Sequence, residues 1–475
     1  MNAGCDYVLA LDQGSHASRA LVFDARGRVC AQAEVAVPTL SPAADFIEHD
    51  PELLVTSVQT AAALALQRAA LAPQARIHAA LATQRSTVVC WERDTGRPLS
   101  PAISWQDRRN GTWLEALSSR AQWIREQTGL PLSPHYGASK LRWCLDNLPD
   151  VAVAAREGRL ACGPLSSFIL ARITRERSFL VDPANASRTQ LWSLASNDWS
   201  AELLSLFGIE RSWLPTVVPT AHDFGHIPGS NADVPITVIS GDQSTVPYAF
   251  GTLDPRTAYI NMGTGAFIQR PSSVPAVPPL LTSILYSDAG GHMYAMEGTV
   301  NGAGAALRWL ADTQEIDAHA IARGLTRAEL NSSEPPLFKN TVSGLGSPYW
   351  RPAATPHFSA DGTPESLTAS VLESIAFLIN ENLKLMRATA PEMQRVLVTG
   401  GLARIPYLVQ TLADVSGLPV SCPEQSEATA RGAAALAFGD DQDFEVGECI
   451  VVRPGVAVAL HRRYQLWREL MQPVA

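Results

Sequence analysis

Two short segments of the chain carry the residue types that handling a phosphate chain would need. The first is Leu11-Asp12-Gln13-Gly14-Ser15 with Arg19 four residues on; the second is Asn261-Met262-Gly263-Thr264-Gly265. Each joins an apolar, strand-like run to a returning strand through small residues. A strand that ends in a glycine turn frees backbone N–H groups, which can cradle phosphate oxygens with no side chain in the way. Two such turns facing each other across a cleft would hold the phosphates of one nucleotide. The first adds the Asp12 carboxylate and the Arg19 cation, and the second adds the Thr264 hydroxyl. Either turn alone is more often an ordinary hairpin. No GxxxxGK[ST] occurs and no GxGxxG follows the first strand, so the P-loop and the dinucleotide fingerprint are both excluded.

Asp242 directly follows the apolar run Ile236–Ser240. That puts its carboxylate at the carboxyl end of a strand, where α/β proteins place chemistry; a turn-capping aspartate is the plainer alternative. Gln84-Arg85-Ser86-Thr87 and Trp105-Gln106-Asp107-Arg108-Arg109 are dense polar and aromatic clusters, each after an apolar strand. Together they suit a wall for a hydroxylated ligand, polar at one edge and apolar at the other; singly, each would read as a solvated loop. Gly400-Gly401 lies between a strand and a helix, where a glycine pair lets the backbone approach a flat ligand such as a purine, or simply makes a tight turn. Gly302 and Gly304 at a helix start favour the ligand, because exposed backbone there weakens a helix unless something packs on it.

The elements that must position these residues alternate between strands and helices, the mark of an α/β protein. Tyr7–Leu11, Arg19–Asp24, Val29–Val35, Ile77–Thr83 and Val88–Glu92 read as strands. Asp50-Pro51-Glu52 opens a helix, with Asp as N-cap and Pro at the first helical position. Beyond the midpoint, Ile236–Ser240, Thr257–Met262, Ala266–Gln269 and Arg395–Thr399 read as strands. Gly302–Ala311, Ser366–Thr389, Pro406–Ser416 and Glu427–Phe438 read as helices, while Thr313–Lys339 is polar and has no clear element. Strand, small-residue turn and returning strand thus occur twice, a domain-scale duplication rather than a short repeat. The turn-rich stretch Pro215–Pro235 is expected to connect the halves.

A chain of 475 residues exceeds what one core normally serves, so two domains are expected. With 46% hydrophobic and 17% charged residues it is not a disordered sequence. Its net charge of −9 gives no general field for a phosphate backbone, which argues against nucleic acid as a partner. No run approaches the roughly 20 apolar residues of a membrane span, and the N-terminus lacks the pattern of a secretory signal. The seven cysteines are scattered with no CxxC pair, and the ten histidines read mostly as surface or core fillers. A zinc site and a disulfide framework are therefore not expected, and a reducing cytoplasm is.

In order along the chain, these segments resemble the FGGY family of carbohydrate kinases, and within it the glycerol kinases. The resemblance runs through Leu11–Ser15 with Arg19, Gln84-Arg85, Trp105-Gln106 with Arg108-Arg109, Thr128-Gly129-Leu130 with Pro134 and Lys140, and Gly241-Asp242-Gln243. It continues through Gly263-Thr264-Gly265, Glu297-Gly298, Ala303-Gly304-Ala305, Gly344-Leu345 with Pro348-Tyr349-Trp350, Gly400-Gly401 and Gly432-Ala433-Ala434. It implies two ribonuclease-H-like domains of the actin and hexokinase type, placed here at residues 1–237 and 238–475, with ATP and substrate in the cleft between them. Asp242 would be the base that takes the proton of the attacking hydroxyl, and Asp12 would help hold Mg²⁺. Gly14, Ser15 and Arg19 would meet the transferred phosphoryl group, and Gly263 and Thr264 the phosphates from the other side. Gly304, Gly401 and Leu402 would line the adenosine site. Arg85, Ser86, Trp105, His135, Asp242, Gln243 and Phe267 would form the alcohol pocket.

The sequence departs from glycerol kinases where those contact the alcohol. Ser86 stands in place of their Glu, and His135, with Tyr136 next, in place of their Tyr. Elsewhere His16 replaces a hydroxyl residue, Ile405 an Asn near the nucleotide, and Arg351 an Asp. The expectation is therefore an ATP- and Mg²⁺-dependent kinase acting on a primary alcohol, with a larger polyol or a ketose favoured over glycerol, and with a homodimer allowed but not dictated. A non-catalytic sensor of the same fold would not need Asp12, Arg19, Asp242 and Thr264 together. An actin-like or chaperone-type ATPase would not need the polyol wall at Arg85 and Trp105.

Overall fold

The computed structural model describes residues 5–229, 232–326, 334–351, 354–390, 392–424, 427–439, 444 and 448–472. Three antiparallel strands open the first half: β1 (Tyr7–Gln13), β2 (Ala17–Asp24) and β3 (Val29–Ala36). Helix α1 (Pro51–Ala69) follows, with the Asp50 carboxylate accepting the Glu52 N–H at 2.8 Å as its N-cap. The chain then returns in β4 (Ile77–Thr83), parallel to β1, and later in β5 (Val234–Gly241), parallel to β4. The sheet order is β5-β4-β1-β2-β3, with the short strand His226–Ile227 outside β5. A one-turn helix, α2 (Asp242–Thr245), starts directly at the end of β5.

The second half repeats the plan. β6 (Thr257–Met262) and β7 (Ala266–Ser272) form the hairpin, and β8 (Leu281–Asp288) with β9 (Gly291–Val300) extends the sheet on the β7 side. Helix α3 (Gly304–Gln314) and the long α4 (Pro364–Thr389) lead to β10 (Arg395–Thr399), parallel to β6. Helix α5 (Pro406–Ser416) then leads to β11 (Val420–Pro423), parallel to β10. Helix α6 (Ala428–Phe438) follows, and β12 (Cys449–Val452) closes the edge, so the order is β8-β9-β7-β6-β10-β11-β12. In both halves, a run of antiparallel strands, three in the first and four in the second, continues into parallel ones through the first strand. That is the duplicated two-domain architecture expected from the sequence.

The division between halves differs from the expected 237/238. That position falls inside β5, all of which runs with the first sheet, Ile236 to Gly241 beside Ala79 to Thr83. The described residues of the stretch Pro215–Pro235 belong to the first half as well. Thr216–Val217 pairs with Leu180–Val181, and His226–Ile227 forms a hairpin with β5. Of the polar region Thr313–Lys339, residues 327–333 lie outside the described residues.

The first sheet is buried on both faces, and period-2 alternation shows how. Leu9, Leu11, Ala79 and Leu81 face one core with Leu54, Val58 and Ala61 of α1. Their neighbours Val8, Ala10, Ala80 and Ala82 face the other, whose cover is Ala430, Ala433, Ala434 and Ala437 of α6. So the helix that seals the first sheet comes from the far end of the chain. The fit is backbone-close: a Cβ on Gly432 would lie 1.9 Å from the carbonyl oxygen of Thr245, the last residue of α2. Among the described residues, no helix is long and apolar enough to cross a membrane.

Candidate active site

Because β1, β4 and β5 run parallel, their carboxyl ends open on one edge of the sheet and deliver Asp12 to Gly14, Gln84 to Arg85, and Asp242 to Gln243 together. Side chains lock these ends to each other. Gln84 donates from its backbone N–H to the Gln13 carbonyl at 2.9 Å and from Nε2 to Gln13 Oε1 at 3.1 Å. Gln243 donates to the Asp242 carboxylate and accepts from Asn261 of β6 at 3.2 Å, which ties α2 to the second sheet.

Asp12 lies on the sheet face that α6 covers, opposite Arg19 in register. Burial, reinforced by the negative charge of Asp242, pushes its carboxyl up to about 7, and Arg19 only partly offsets this. Burial also raises the Asp242 carboxyl, against the pull of Arg85. Arg19 is already engaged, 2.7 Å from Glu34 and 3.6 Å from Glu427 at the start of α6. Two acids that burden one another in a buried place suit a divalent cation, and Mg²⁺ is commonly held by one or two carboxylates plus substrate phosphates. Among the described residues, no group of three or more His, Cys, Asp or Glu gathers into a metal cage.

Arg85 lies flat over Gly241, where a Cβ would come within 2.5 Å of its Cγ and Cδ. Its head points between two carboxylates: Nε is 3.7 Å from Asp242 Oδ1 and Nη1 is 2.9 Å from Glu297 Oε2. Glu297 is on β9 in the second sheet and is fully buried. Arg188, from just after the short helix Pro183–Ser187, reaches Glu297 Oε1 at 3.2 Å, and Ser283 and Gln269 donate to Oε2 at 2.9 and 3.0 Å. Burial would raise the Glu297 carboxyl, but Arg85 and Arg188 outweigh it and hold the group at about 2. Glu297 is opposite Gln269 in register and Thr299 is opposite Phe267. Phe267 therefore shares the sheet face of this cluster, while Ala266 and Ile268 enter the second core.

The rest of the pocket wall sits next to Arg85. Trp105 donates from Nε1 to Ser15 Oγ at 3.0 Å, and Ser15 donates to Gln84 Oε1 at 3.3 Å, joining the first turn to the wall. The His135 ring meets Trp105 edge-on at 5.8 Å and Tyr136 at 4.9 Å. Burial and the cations around it hold His135 well below the usual imidazole range, so it is neutral at pH 7. Ser86 has φ 65°, a left-handed conformation that costs a non-glycine residue about 1–3 kcal/mol and is concentrated at functional sites. The buried Lys140 ammonium braces it, donating to the Ser86 carbonyl at 3.0 Å and the His135 carbonyl at 2.7 Å. The Ser86 hydroxyl itself is buried without a hydrogen-bond partner.

Around the second turn three glycines meet. A Cβ on Gly304 would lie 2.7 Å from the Gly263 carbonyl oxygen, and one on Gly400, at φ +87°, 2.4 Å from that of Met262. The Gly304 N–H donates to Gly263 at 3.0 Å and that of Ala305 to Thr264 at 2.9 Å. These amides brace the turn, so Gly304 acts by allowing close approach and not as a donor to a ligand. Thr264 and Gly401 are exposed, and Gly401 has open space beside it. Leu402, expected to line the adenosine site, packs its side chain into the second core, as does Ile405.

The structure therefore brings Asp12, Ser15, Arg85, Trp105, His135, Asp242 and Gln243 to one place. Of the Trp105–Arg109 segment, Trp105 faces it, and Arg108 is among the cations whose charge acts on His135. Asp107 and Arg109 form a buried pair 2.8 Å apart, with Arg109 also bound to Glu48 and stacked on Phe46 and Trp143. Sequence reasoning missed Arg188 altogether and noted Glu297 only as part of a motif. Their partnership with Arg85 spans 212 residues for Glu297, and no local pattern announces it.

Comparison with known proteins decides what this arrangement belongs to. The family model described as the FGGY family of carbohydrate kinases, N-terminal domain, matches residues 7–254, and the C-terminal domain model matches residues 258–439. The chain belongs to the FGGY family of carbohydrate kinases. Within it, the glycerol kinase of Ralstonia nicotianae is 36% identical over 444 residues, covering 91% of this chain and 89% of that protein. The glycerol kinase of Alcanivorax borkumensis is 35% identical over 98% of both chains. Among solved structures, Plasmodium falciparum glycerol kinase with ADP matches with a TM-score of 0.87 at 22% identity, over 98% of this chain and 97% of that one. Xylulose kinase from Lactobacillus acidophilus matches with a TM-score of 0.85 at 20% identity, over 98% and 97%. These last two share the fold of this FGGY chain. Members of the family are phosphotransferases, and this chain is one of them.

Proposed function

We propose that this FGGY kinase transfers the terminal phosphoryl group of ATP to a primary alcohol of a small polyol or sugar, with Asp242 as the base. The observation that carries this is the delivery of Asp242, Asp12 and Arg85 to one edge by three parallel strands, with the exposed Thr264 turn on the second sheet. Asp242 starts a helix immediately after its strand, is held by Gln243, and lies next to the arginine that would orient the alcohol. A buried carboxylate with a raised pKa is a stronger base than one in water and so accepts the hydroxyl proton more readily. Phosphoryl transfer otherwise needs positioning and charge neutralisation more than covalent chemistry by the protein. Ser15 and Arg19 would steady the transferring group, and Gly263 and Thr264 the remaining phosphates. Asp12 would hold Mg²⁺, directly or through water; bound there, Mg²⁺ neutralises charge on the phosphates.

For the alcohol, the wall favours a four- or five-carbon polyol or a ketose over glycerol. Arg85 does not enter this preference, because Glu297 already accepts from it at 2.9 Å. What supports it is the Ser86 hydroxyl, short, uncharged and unpartnered in a buried place, beside a neutral imidazole at His135 that both donates and accepts. Glycerol as the substrate is the second reading, favoured by relatives named glycerol kinase across nine-tenths of the chain. The seven unpaired cysteines suit a reducing cytoplasm. ADP release measured with and without a panel of polyols and ketoses tests the whole reading. Asp242→Asn should lower turnover by at least about a hundredfold while ATP still binds. A near-normal rate in that variant, or no alcohol-dependent ADP release by the unaltered protein, would refute it.

A further inference from the structure

Four charged groups meet at the seam between the two sheets. Arg85 and Arg188 come from the first half, and Glu297 comes from the second. Asp242, the fourth, follows β5 directly. Arg188 is only 3% exposed and Glu297 fully buried, so water screens neither. The two guanidiniums are balanced only when both carboxylates are ionised. Around them the halves are stitched by hydrogen bonds to and from β8: Thr282 N–H to the Gly129 carbonyl at 3.1 Å, and Thr220 N–H to the Ser287 carbonyl at 3.0 Å. Arg188 also lies over the Tyr136 ring at 5.4 Å, next to His135 of the alcohol wall. Phosphoryl transfer as such does not call for Arg188 or Glu297, yet they surround the one arginine that faces both the base and the pocket.

We infer that Glu297 is a positioning residue for the alcohol: it neutralises Arg188 and holds Arg85 off Asp242, leaving Arg85 for the substrate and the Asp242 carboxylate free to take a proton. The inference rests on the proposed role of Asp242. Its physical basis is the cost of an unbalanced buried charge. Without the Glu297 charge, Arg85 and Arg188 would share Asp242 as their only carboxylate. Arg85 would then close the present gap of 3.7 Å and occupy the base. Removing Arg188 as well restores the balance with one cation and one anion.

That reciprocity is the test. In steady-state kinetics on the full chain, with the best alcohol from the panel, Glu297→Gln should lower kcat/KM for the alcohol at least tenfold and leave KM for ATP within twofold. The double variant Glu297→Gln/Arg188→Gln should recover at least fivefold of that loss. A merely structural cluster would make the double variant as poor as the single one or poorer, and that result would overturn the inference. So would a rise in KM for ATP as large as that for the alcohol. Should Glu297→Gln fail to fold, the charge-balanced double variant should fold and retain kcat/KM within tenfold of the unaltered protein; failure of both to fold would also overturn it. An active unaltered protein with no rescue defeats only this inference, whereas an unaltered protein inactive toward every alcohol defeats the proposed function with it.

Discussion

Replacing Asp12 by Asn keeps the shape of the side chain and removes its charge, which isolates the electrostatic load at the first turn. The Asp12 carboxyl is pushed up to about 7 in the folded protein, by burial first and by Asp242 second, against an ordinary value of 3.8. A carboxyl whose pKa is higher in the folded than in the unfolded chain makes folding take up a proton. Its effect on stability is therefore absent below the unfolded value, grows unfavourable as pH rises from 3.8 toward 7, and is complete above about 8. One pKa unit is worth about 1.4 kcal/mol, so the ionised Asp12 costs about 4 kcal/mol at pH 8 and about 2 kcal/mol at pH 5. Asp12→Asn should thus be more stable than the unaltered protein in the absence of metal and nucleotide, with the advantage growing by about 2–3 kcal/mol from pH 5 to pH 8. Urea unfolding at four pH values in this range, with chelator present, measures it. Adding Mg²⁺ and ATP should raise the urea midpoint of the unaltered protein more than that of the variant, and the variant should turn over slowly. A variant less stable than the unaltered protein at pH 8, or one whose advantage does not change with pH, would refute the reasoning.

Two further perturbations test other parts of the site. Gly432→Ala, which in an exposed helix would be stabilising by about 1 kcal/mol, should instead destabilise by about 1–3 kcal/mol in denaturant unfolding, because the added methyl meets the Thr245 backbone; it should also lower kcat, since it shifts the helix that begins at Asp242. The double variant Ser86→Glu/His135→Tyr should move kcat/KM toward glycerol and away from longer polyols, and glycerol ranking first for the unaltered protein would remove the substrate preference argued from Ser86.

Much of the fold was legible because its central strands are short apolar runs cut off by polar or small residues. Ile77–Thr83, Val88–Glu92, Thr257–Met262 and Arg395–Thr399 have the boundaries expected of them, as does the helix Pro406–Ser416 with Gly417 after it. The domain division was not legible, because β5 pairs with β4 about 158 residues earlier and nothing local distinguishes a strand of one sheet from a strand of the next. Two-residue strands such as Ala102–Ile103 and His226–Ile227 carry too few residues to show a period. At the site, Asp12, Arg85 and Asp242 could be found because each stands at the end of a readable strand. Arg188 and Glu297 could not be assigned, since their purpose is set by partners from the other half. Leu402 follows a glycine pair, which suggested a ligand contact, and its apolar side chain packs into the core under the hydrophobic effect.

The covering of the first sheet by α6 has a consequence for how the protein is made. Strands β1, β4 and β5 leave the ribosome early, and their Val8, Ala10, Ala80, Ala82 and Val238 face waits for alanines that lie about 180 residues beyond the end of the first family domain. At about 5–20 residues per second, that interval is roughly 10–40 s, long compared with the folding of a small domain. During it a nascent chain with a nearly finished sheet carries a bare apolar face, the kind of surface that recruits holding chaperones or sticks to its neighbours. The two halves of this kinase are thus separate as sheets but not as folding units, and the first becomes finished only when the helix Ala428–Phe438 arrives.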